Sequence, residues 1–188
     1  MANQYTRKAI QDEFLDQLSH KPLNKITVSS IVQNCRINRN TFYYYYQDIY
    51  DLLRDILNSE LKKTVDYCSD SPAWEDWFLY AIQVILQNPE AIGNLYHSSQ
   101  QNLLHDYLFE STGIIMRQYI LSVGQELKPQ PADVELLTLF YQCALTELVE
   151  QWLENGMTDD AEKVIRHIGQ LMNGTIREAL IRSENLRG

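Results

Sequence analysis

Arg39, Asn40, Thr41, Tyr43 and Tyr44 stand together in the stretch RNTFYYYY, Arg39 to Tyr46. A guanidinium can pair with guanine edges or a phosphate, and an Asn amide can donate and accept at adenine. Threonine and tyrosine hydroxyls reach phosphate oxygens without carrying charge. Consecutive helical residues are rotated by about 100°, so the four tyrosines, Tyr43 to Tyr46, cannot share one face. Phe42, Tyr45 and Tyr46, at i, i+3 and i+4, can pack inward together. That leaves Tyr43 and Tyr44 on the outward side with Arg39, Asn40 and Thr41.

No other residue set has the spacing of a reactive site. Cys35, Cys68 and Cys143 are isolated and each falls at an apolar helical position, so buried free thiols are expected. His97 and His105, with Asp106, lack any H-x-x-x-H or E-x-x-H pattern, and no metal or cofactor is expected. There is no GxGxxG, phosphate loop, GxSxG elbow or HExxH. The Glu-x-x-His pairs of a di-iron helical enzyme are missing as well. An enzyme is not expected.

The elements that position the Arg39–Tyr44 group are short helices. Helix 1 is predicted from about Tyr5 to Ser19 on an apolar stripe of Ile10, Phe14, Leu15 and Leu18, ending before Pro22. Thr27 reads as an N-cap for a two-turn helix with Val28, Ile31, Val32 and Cys35 on one face. A break at Cys35-Arg36-Ile37 follows, and Asn38 caps a third helix over about 39–45, too short to be stable without packing. Two short helices joined by a tight turn behind a support helix make a helix-turn-helix, with the third as the reading helix. Thr27 can hold a phosphate through its hydroxyl and the helix-end N–H groups.

Asp48 caps a fourth helix to about Tyr67. Pro72 suits a first helical turn, and further helices are predicted at about 73–87, 89–96, 100–124, 131–155 and 159–183. Thr158, followed by acids, marks the start of the last. The fold class is all-α, about nine helices. The expected division is a helix-turn-helix domain over 1–48, a connecting helix over 48–67, and a larger helical bundle over 68–188.

Charge is divided the same way. The net −9 of the 188 residues resolves into six basic against three acidic residues up to position 47, +3, and 10 against 22 beyond it, −12. Only the N-terminal quarter suits a polyanion. No apolar run approaches the ~18–20 residues of a membrane span, and the N-terminus lacks a signal-peptide core. A cytoplasmic location without a membrane partner is expected.

At these residues the stretch Ile26–Leu53 resembles the DNA-binding domain of the TetR/AcrR family of transcriptional regulators. Thr27 opens the second helix, Ile37-Asn38-Arg39-Asn40-Thr41-Phe42-Tyr43-Tyr44-Tyr45-Tyr46 supplies the motif, and Leu52-Leu53 the pair on the fourth helix. The resemblance covers roughly residues 5–65. It implies double-stranded DNA as partner, with Thr41 and Tyr43 on phosphates, Arg39 and Asn40 nearest the bases, and Tyr44 at a place often taken by a backbone-contacting His; Thr27, Arg36 and Asn38 complete the expected DNA-binding set. Three departures stand out. Arg36 holds the turn position usually given to Gly, at a cost on the order of 1 kcal/mol if φ is positive there, and offers a further cation to phosphate. Asn40 replaces a small residue. Gln47-Asp48-Ile49 lacks the usual phosphate-binding Lys.

Beyond about residue 68 the resemblance implies an effector and dimerisation region. Apolar residues on the helices over 131–155 and 159–183 exceed the needs of one small core. A four-helix interface with a second copy is therefore expected, through Leu145, Leu148, Trp152, Ile168, Met172 and Ile176, with Gly169 and Gly174 allowing close approach. Two-fold symmetry then demands a roughly palindromic operator. The family's small-molecule pocket would draw on Trp77, Tyr96 and Tyr119, for an effector the sequence does not identify. The expected function is a ligand-released repressor. The alternative is a co-activator that works through protein partners without a small-molecule ligand.

Overall fold

The computed structural model describes residues 2–68 and 73–186. Among them the chain forms ten α-helices and one short 3-10 turn, with no strand. The helices are α1 (Ala2–His20), α2 (Val28–Asn34), α3 (Arg39–Tyr45), α4 (Ile49–Cys68), α5 (Trp74–Leu86), α6 (Pro89–Tyr96), α7 (Gln101–Val123), α8 (Pro131–Glu154), α9 (Ala161–Leu171) and α10 (Thr175–Asn185). Pro72 and the side chain of Cys68 lie outside the described residues.

Contacts divide the chain into two compact units, Met1–Lys63 with Val84–Leu104, and Thr64–Gln83 with His105–Gly188. The first unit thus includes α6, which the sequence placed with the later bundle. α6 packs along α1 and closes its end, because Asn94 Nδ2 donates to Leu18 O at 2.8 Å and Ser19 O at 3.3 Å. These are carbonyls that a helix terminus would otherwise leave unpaired. Ile10, Phe14 and Leu18 of α1, Ile31 and Val32 of α2, Phe42 of α3, Leu52 and Leu53 of α4, and Ala91 and Leu95 of α6 are buried. Their spacing follows the 3.6-residue helical period.

In the second unit the buried set is Trp77, Phe78 and Ile82 on α5, Ile115, Met116 and Ile120 on α7, Val134, Leu145, Val149 and Trp152 on α8, and Ile165, Ile176 and Leu180 on α9 and α10. The helix expected over 159–183 is two helices. α9 stops at Leu171, and Gly174, the residue before α10, sits at φ +78°, in the left-handed region that glycine enters without a Cβ penalty. Space around Gly174 is open within the chain, and its conformation serves a turn. Gly169 lies against Glu75 within the chain: a Cβ there would overlap that side chain, which would have to move aside. The start of α9 also shifts. Asp160, not Thr158, caps it by accepting from Lys163 N at 3.0 Å, while Thr158 Oγ1 donates to Asn155 O at 3.1 Å.

No described helix is long and apolar enough to cross a membrane.

Candidate nucleic-acid interface

Three local devices set α2 and α3. At the start of α2, Thr27 Oγ1 accepts from Ser30 N at 3.1 Å and Ser30 Oγ accepts from Thr27 N at 3.3 Å, a reciprocal capping box. Thr27's hydroxyl proton is not used by that cap. Ser30 Oγ also donates to Gln17 Oε1 at 2.7 Å, and Gln17 Nε2 and Asn34 Nδ2 both donate to Glu13 Oε1, at 2.6 and 2.7 Å. This ties α2 to α1.

The turn after α2 is a Schellman motif: Ile37 N donates to Val32 O at 3.0 Å and Arg36 N to Gln33 O at 3.2 Å. Its left-handed residue is Arg36, at φ +54°. The position that favours Gly is thus occupied by an L residue, at a cost of about 1 kcal/mol, and its side chain is exposed.

Asn38 then caps α3. Its Oδ1 accepts from Thr41 N at 2.8 Å and from Thr41 Oγ1 at 3.1 Å. The proton expected to reach a phosphate from Thr41 is therefore given to Asn38, and Thr41 must rotate its hydroxyl before it can donate to anything else. Arg39 and Asn40 are exposed, and Arg39 Nη2 donates to Ser29 Oγ at 2.6 Å across the turn.

The tyrosine run divides as its rotation requires. Phe42 is 0% and Tyr46 3% exposed, Tyr45 is half-buried, and Tyr43 and Tyr44 are 55% and 73% exposed. Phe42 meets Tyr43 and Tyr46 at ring-centroid distances of 5.7 and 5.8 Å, and Tyr44 meets Tyr45 edge-on at 5.0 Å.

Tyr46 does more than pack, which the sequence alone did not reveal. Its hydroxyl donates to Asp55 Oδ2 on α4 at 2.9 Å and accepts from Arg7 Nε on α1 at 3.3 Å. Arg7 Nη2 pairs with Asp55 Oδ1, and Gln11 Nε2 donates to Asp55 Oδ2 at 2.9 Å. Burial pushes the Tyr46 phenol up to about 12, with Asp55 adding to the rise. The Arg7 guanidinium is raised by its bonds to Tyr46 and Asp55. Arg7 counts toward the basic N-terminal quarter, yet its charge is committed inside the unit. Where a phosphate-binding Lys is missing, Asp51 N donates to Asp48 Oδ1 at 2.7 Å and Gln47 N to Asp51 Oδ2 at 3.0 Å, capping α4.

The remaining candidates fall in other places. Trp77 and Tyr119 come together in the second unit, their rings edge-on at 6.5 Å beside Ile115 and Tyr80. Burial raises the Tyr119 phenol. Tyr96 belongs to the first unit, beside the His97 ring at 5.2 Å. A cavity of about 140 Å³ in the second unit lies between α5, α8 and α9, lined by Phe78, Ile82, Leu148, Trp152, Asn155 and Ile165 among others. It uses none of Trp77, Tyr96 and Tyr119.

Three residues expected at a dimer interface are instead core. Leu145, Trp152 and Ile176 are 2%, 8% and 6% exposed within the single chain, and Trp152 Nε1 donates to Asp159 O at 3.0 Å. Leu148, Ile168 and Met172 are half-buried. The apolar residues that do reach the surface of α8 are Leu136, Leu139 and Phe140, with Cys143 exposed one turn further. Their i, i+3, i+4, i+7 spacing was readable, but nothing in it said which of two apolar faces would turn outward. Cys35 is half-buried and its thiol is raised by burial. Among the described residues no group of three His, Cys, Asp or Glu could hold a metal ion. His105 Nδ1 instead meets Glu150 Oε1 at 2.8 Å and its ring stacks on Phe109.

Residues 73–174, more than half the chain, match the family model TetR_C_8, a transcriptional regulator C-terminal region. The chain belongs to the TetR family of transcriptional regulators. A stretch of 83 residues of this TetR-family chain is 30% identical to the HTH-type dhaKLM operon transcriptional activator DhaS of Lactococcus lactis subsp. lactis (strain IL1403). That stretch is 44% of this chain and 44% of that protein. A solved structure, the dihydroxyacetone kinase operon activator DhaS, superposes with a TM-score of 0.75 over 92% of this chain and 97% of its own, at 18% identity. At that identity the likeness shows the fold alone. Membership of the TetR family makes the chain a transcriptional regulator and not an enzyme.

Proposed function

We propose that this regulator is a homodimer that reads a roughly palindromic operator through α3 of each copy. The observation that carries the reading is the division of α3. Phe42 and Tyr46 are buried, while Arg39, Asn40, Tyr43 and Tyr44 are left outside with no role in the core. Arg39 and Asn40, in the first turn of the reading helix, serve the base edges. Tyr43 and Tyr44, with Thr27 and Arg36, serve the backbone, which positions without specifying. Thr41 joins them once its hydroxyl leaves Asn38. The acidic remainder keeps the rest of the chain away from the duplex.

The second copy docks on the outward face of α8, through Leu136, Leu139 and Phe140, in place of the buried residues expected there. An isologous contact of this kind aligns two reading helices with two half-sites. The division into a reading domain and a bundle that carries the effector and dimer functions belongs to the same proposal.

Ligand-released repression requires an effector that binds the DNA-incompetent state better. The cavity beside Trp152, at about 140 Å³, matches a benzene-sized molecule and falls short of the ~300–1,000 Å³ of most ligand sites. The description of the relatives as operon activators favours a second reading: activation through a protein partner, without a small-molecule ligand.

One experiment tests both levels. Duplexes are selected from genomic fragments with the purified protein, and a reporter promoter carrying a selected site is transcribed with and without it. Retention of specific fragments by the wild type and not by Arg39→Ala/Tyr43→Ala supports DNA reading; equal retention by both overturns it. Reporter output that rises with the protein supports activation, and output that falls supports repression.

A further inference from the structure

The contact between Arg39 and Ser29 caps neither of the helices it joins. Both side chains are exposed, neither closes a helix end, and Asn38 caps α3 without them. Yet Arg39 Nη2 donates to Ser29 Oγ at 2.6 Å, joining the second residue of α2 to the first of α3 across the turn built on Arg36. The cap and turn fix both backbones, and the hydrogen bond fixes the direction of the guanidinium between them.

We infer that Ser29 is a positioning residue for sequence recognition: by accepting from Arg39 it holds the guanidinium in one orientation, so that the N–H groups left free read one base pair. This rests on the proposed DNA reading by α3. An Arg reads guanine through two parallel bonds to O6 and N7, a geometry that a freely rotating side chain reaches only part of the time. The same guanidinium, untethered, finds phosphate oxygens on either side, where it adds affinity without selectivity. Ser29 spends its lone pair on Arg39, and its own O–H proton stays available to a neighbouring phosphate oxygen. The hydroxyl thus acts as a brace between the backbone and the reading side chain.

The test is selection from a randomised duplex library, followed by binding of the wild type, Ser29→Ala, Ser29→Thr and Arg39→Ala to the selected duplex and its single-base variants across a salt series. Ser29→Ala is expected to lose about tenfold of discrimination, within the range that one bidentate contact supplies. The loss should fall at one base pair and its symmetry mate, the same position that Arg39→Ala relaxes, with an unchanged salt slope. Ser29→Thr, which keeps the hydroxyl, should restore it. A Ser29→Ala protein with wild-type discrimination overturns the inference and leaves DNA reading by α3 standing. A uniform loss across all sequences with a shallower salt slope overturns it too, because Ser29 would then be a phosphate contact. A wild type that selects no duplex overturns the inference together with the reading on which it rests.

Discussion

The two units hold their helices by different means. In the first, α2 and α3 have seven residues each, far short of what a helix needs to persist alone in water. They are held at their ends by the Thr27–Ser30 box, the Asn38 cap, the Schellman turn at Arg36 and the tie from Tyr46 to Asp55. In the second, α7 and α8 run 23 and 24 residues. α8 begins at Gln130 with no side-chain cap and is held by burial along its length. The outward faces differ in the same sense. Tyr43 and Tyr44 end in hydroxyls that can meet phosphate, whereas Leu136, Leu139 and Phe140 can only be covered by another apolar surface. On the proposed reading the two exposed patches meet different partners: a duplex for the first, a second copy of the chain for the other.

The largest expected effect separates face from core in the second unit. Trp152→Glu should unfold the protein, losing about 3–5 kcal/mol from packing alone. Phe140→Glu should leave protomer stability within about 0.5 kcal/mol and halve the mass seen by light scattering. Urea unfolding alongside light scattering checks both. A stable, monomeric Trp152→Glu protein would return Trp152 to the interface and break the contrast between the two faces of α8.

A smaller effect tests the tie that fixes α3. Tyr46→Phe keeps the ring but removes the bonds to Asp55 and Arg7, and should cost about 1–2 kcal/mol. The phenol is neutral in the fold and its pKa is raised from 10.0 to about 12. Its contribution is therefore complete below pH 10, where folded and unfolded chains both keep the proton. It is lost as pH rises from 10 towards 12, because the unfolded chain ionises first. The alkaline fall in stability should be shallower in Tyr46→Phe than in the wild type; equal profiles would mean that the folded chain does not hold the phenol proton more tightly than the unfolded one, and an unchanged stability at neutral pH would mean that the tie contributes nothing.

The smallest effect sits at the turn. Arg36→Gly relieves a left-handed L residue and should stabilise by about 1 kcal/mol, as read from the urea midpoint, and it removes one cation from the proposed backbone contacts. A destabilised variant would show that the Arg36 side chain holds the turn by something other than its backbone.

The ends of the early helices were legible because capping is local. Thr27, Asn38 and Asp48 each act on a backbone N–H three residues on. Arg36 came into view only through the resemblance, which puts it at a turn position usually given to Gly; its φ of +54° is the structure's finding. The Arg7–Tyr46–Asp55 group was not, since its members lie 39 and 48 residues from Arg7 along the chain. Gly174 was missed because Leu171, Met172 and Ile176 carry an apolar period through the break. On α8, periodicity counted apolar residues correctly but could not rank the face of Leu145 and Trp152 against that of Leu136 and Phe140. Which face a helix buries depends on its neighbours, and these come from distant parts of the chain.

The central claim is that the tyrosine run is shared between holding α3 and meeting DNA. Its most direct test is to measure both operator affinity and folding stability for Tyr43→Phe/Tyr44→Phe, which removes only two exposed hydroxyls. The expected result is weaker binding to every sequence at unchanged stability. A double variant that binds as tightly as the wild type would contradict the assignment of those hydroxyls to the phosphate backbone.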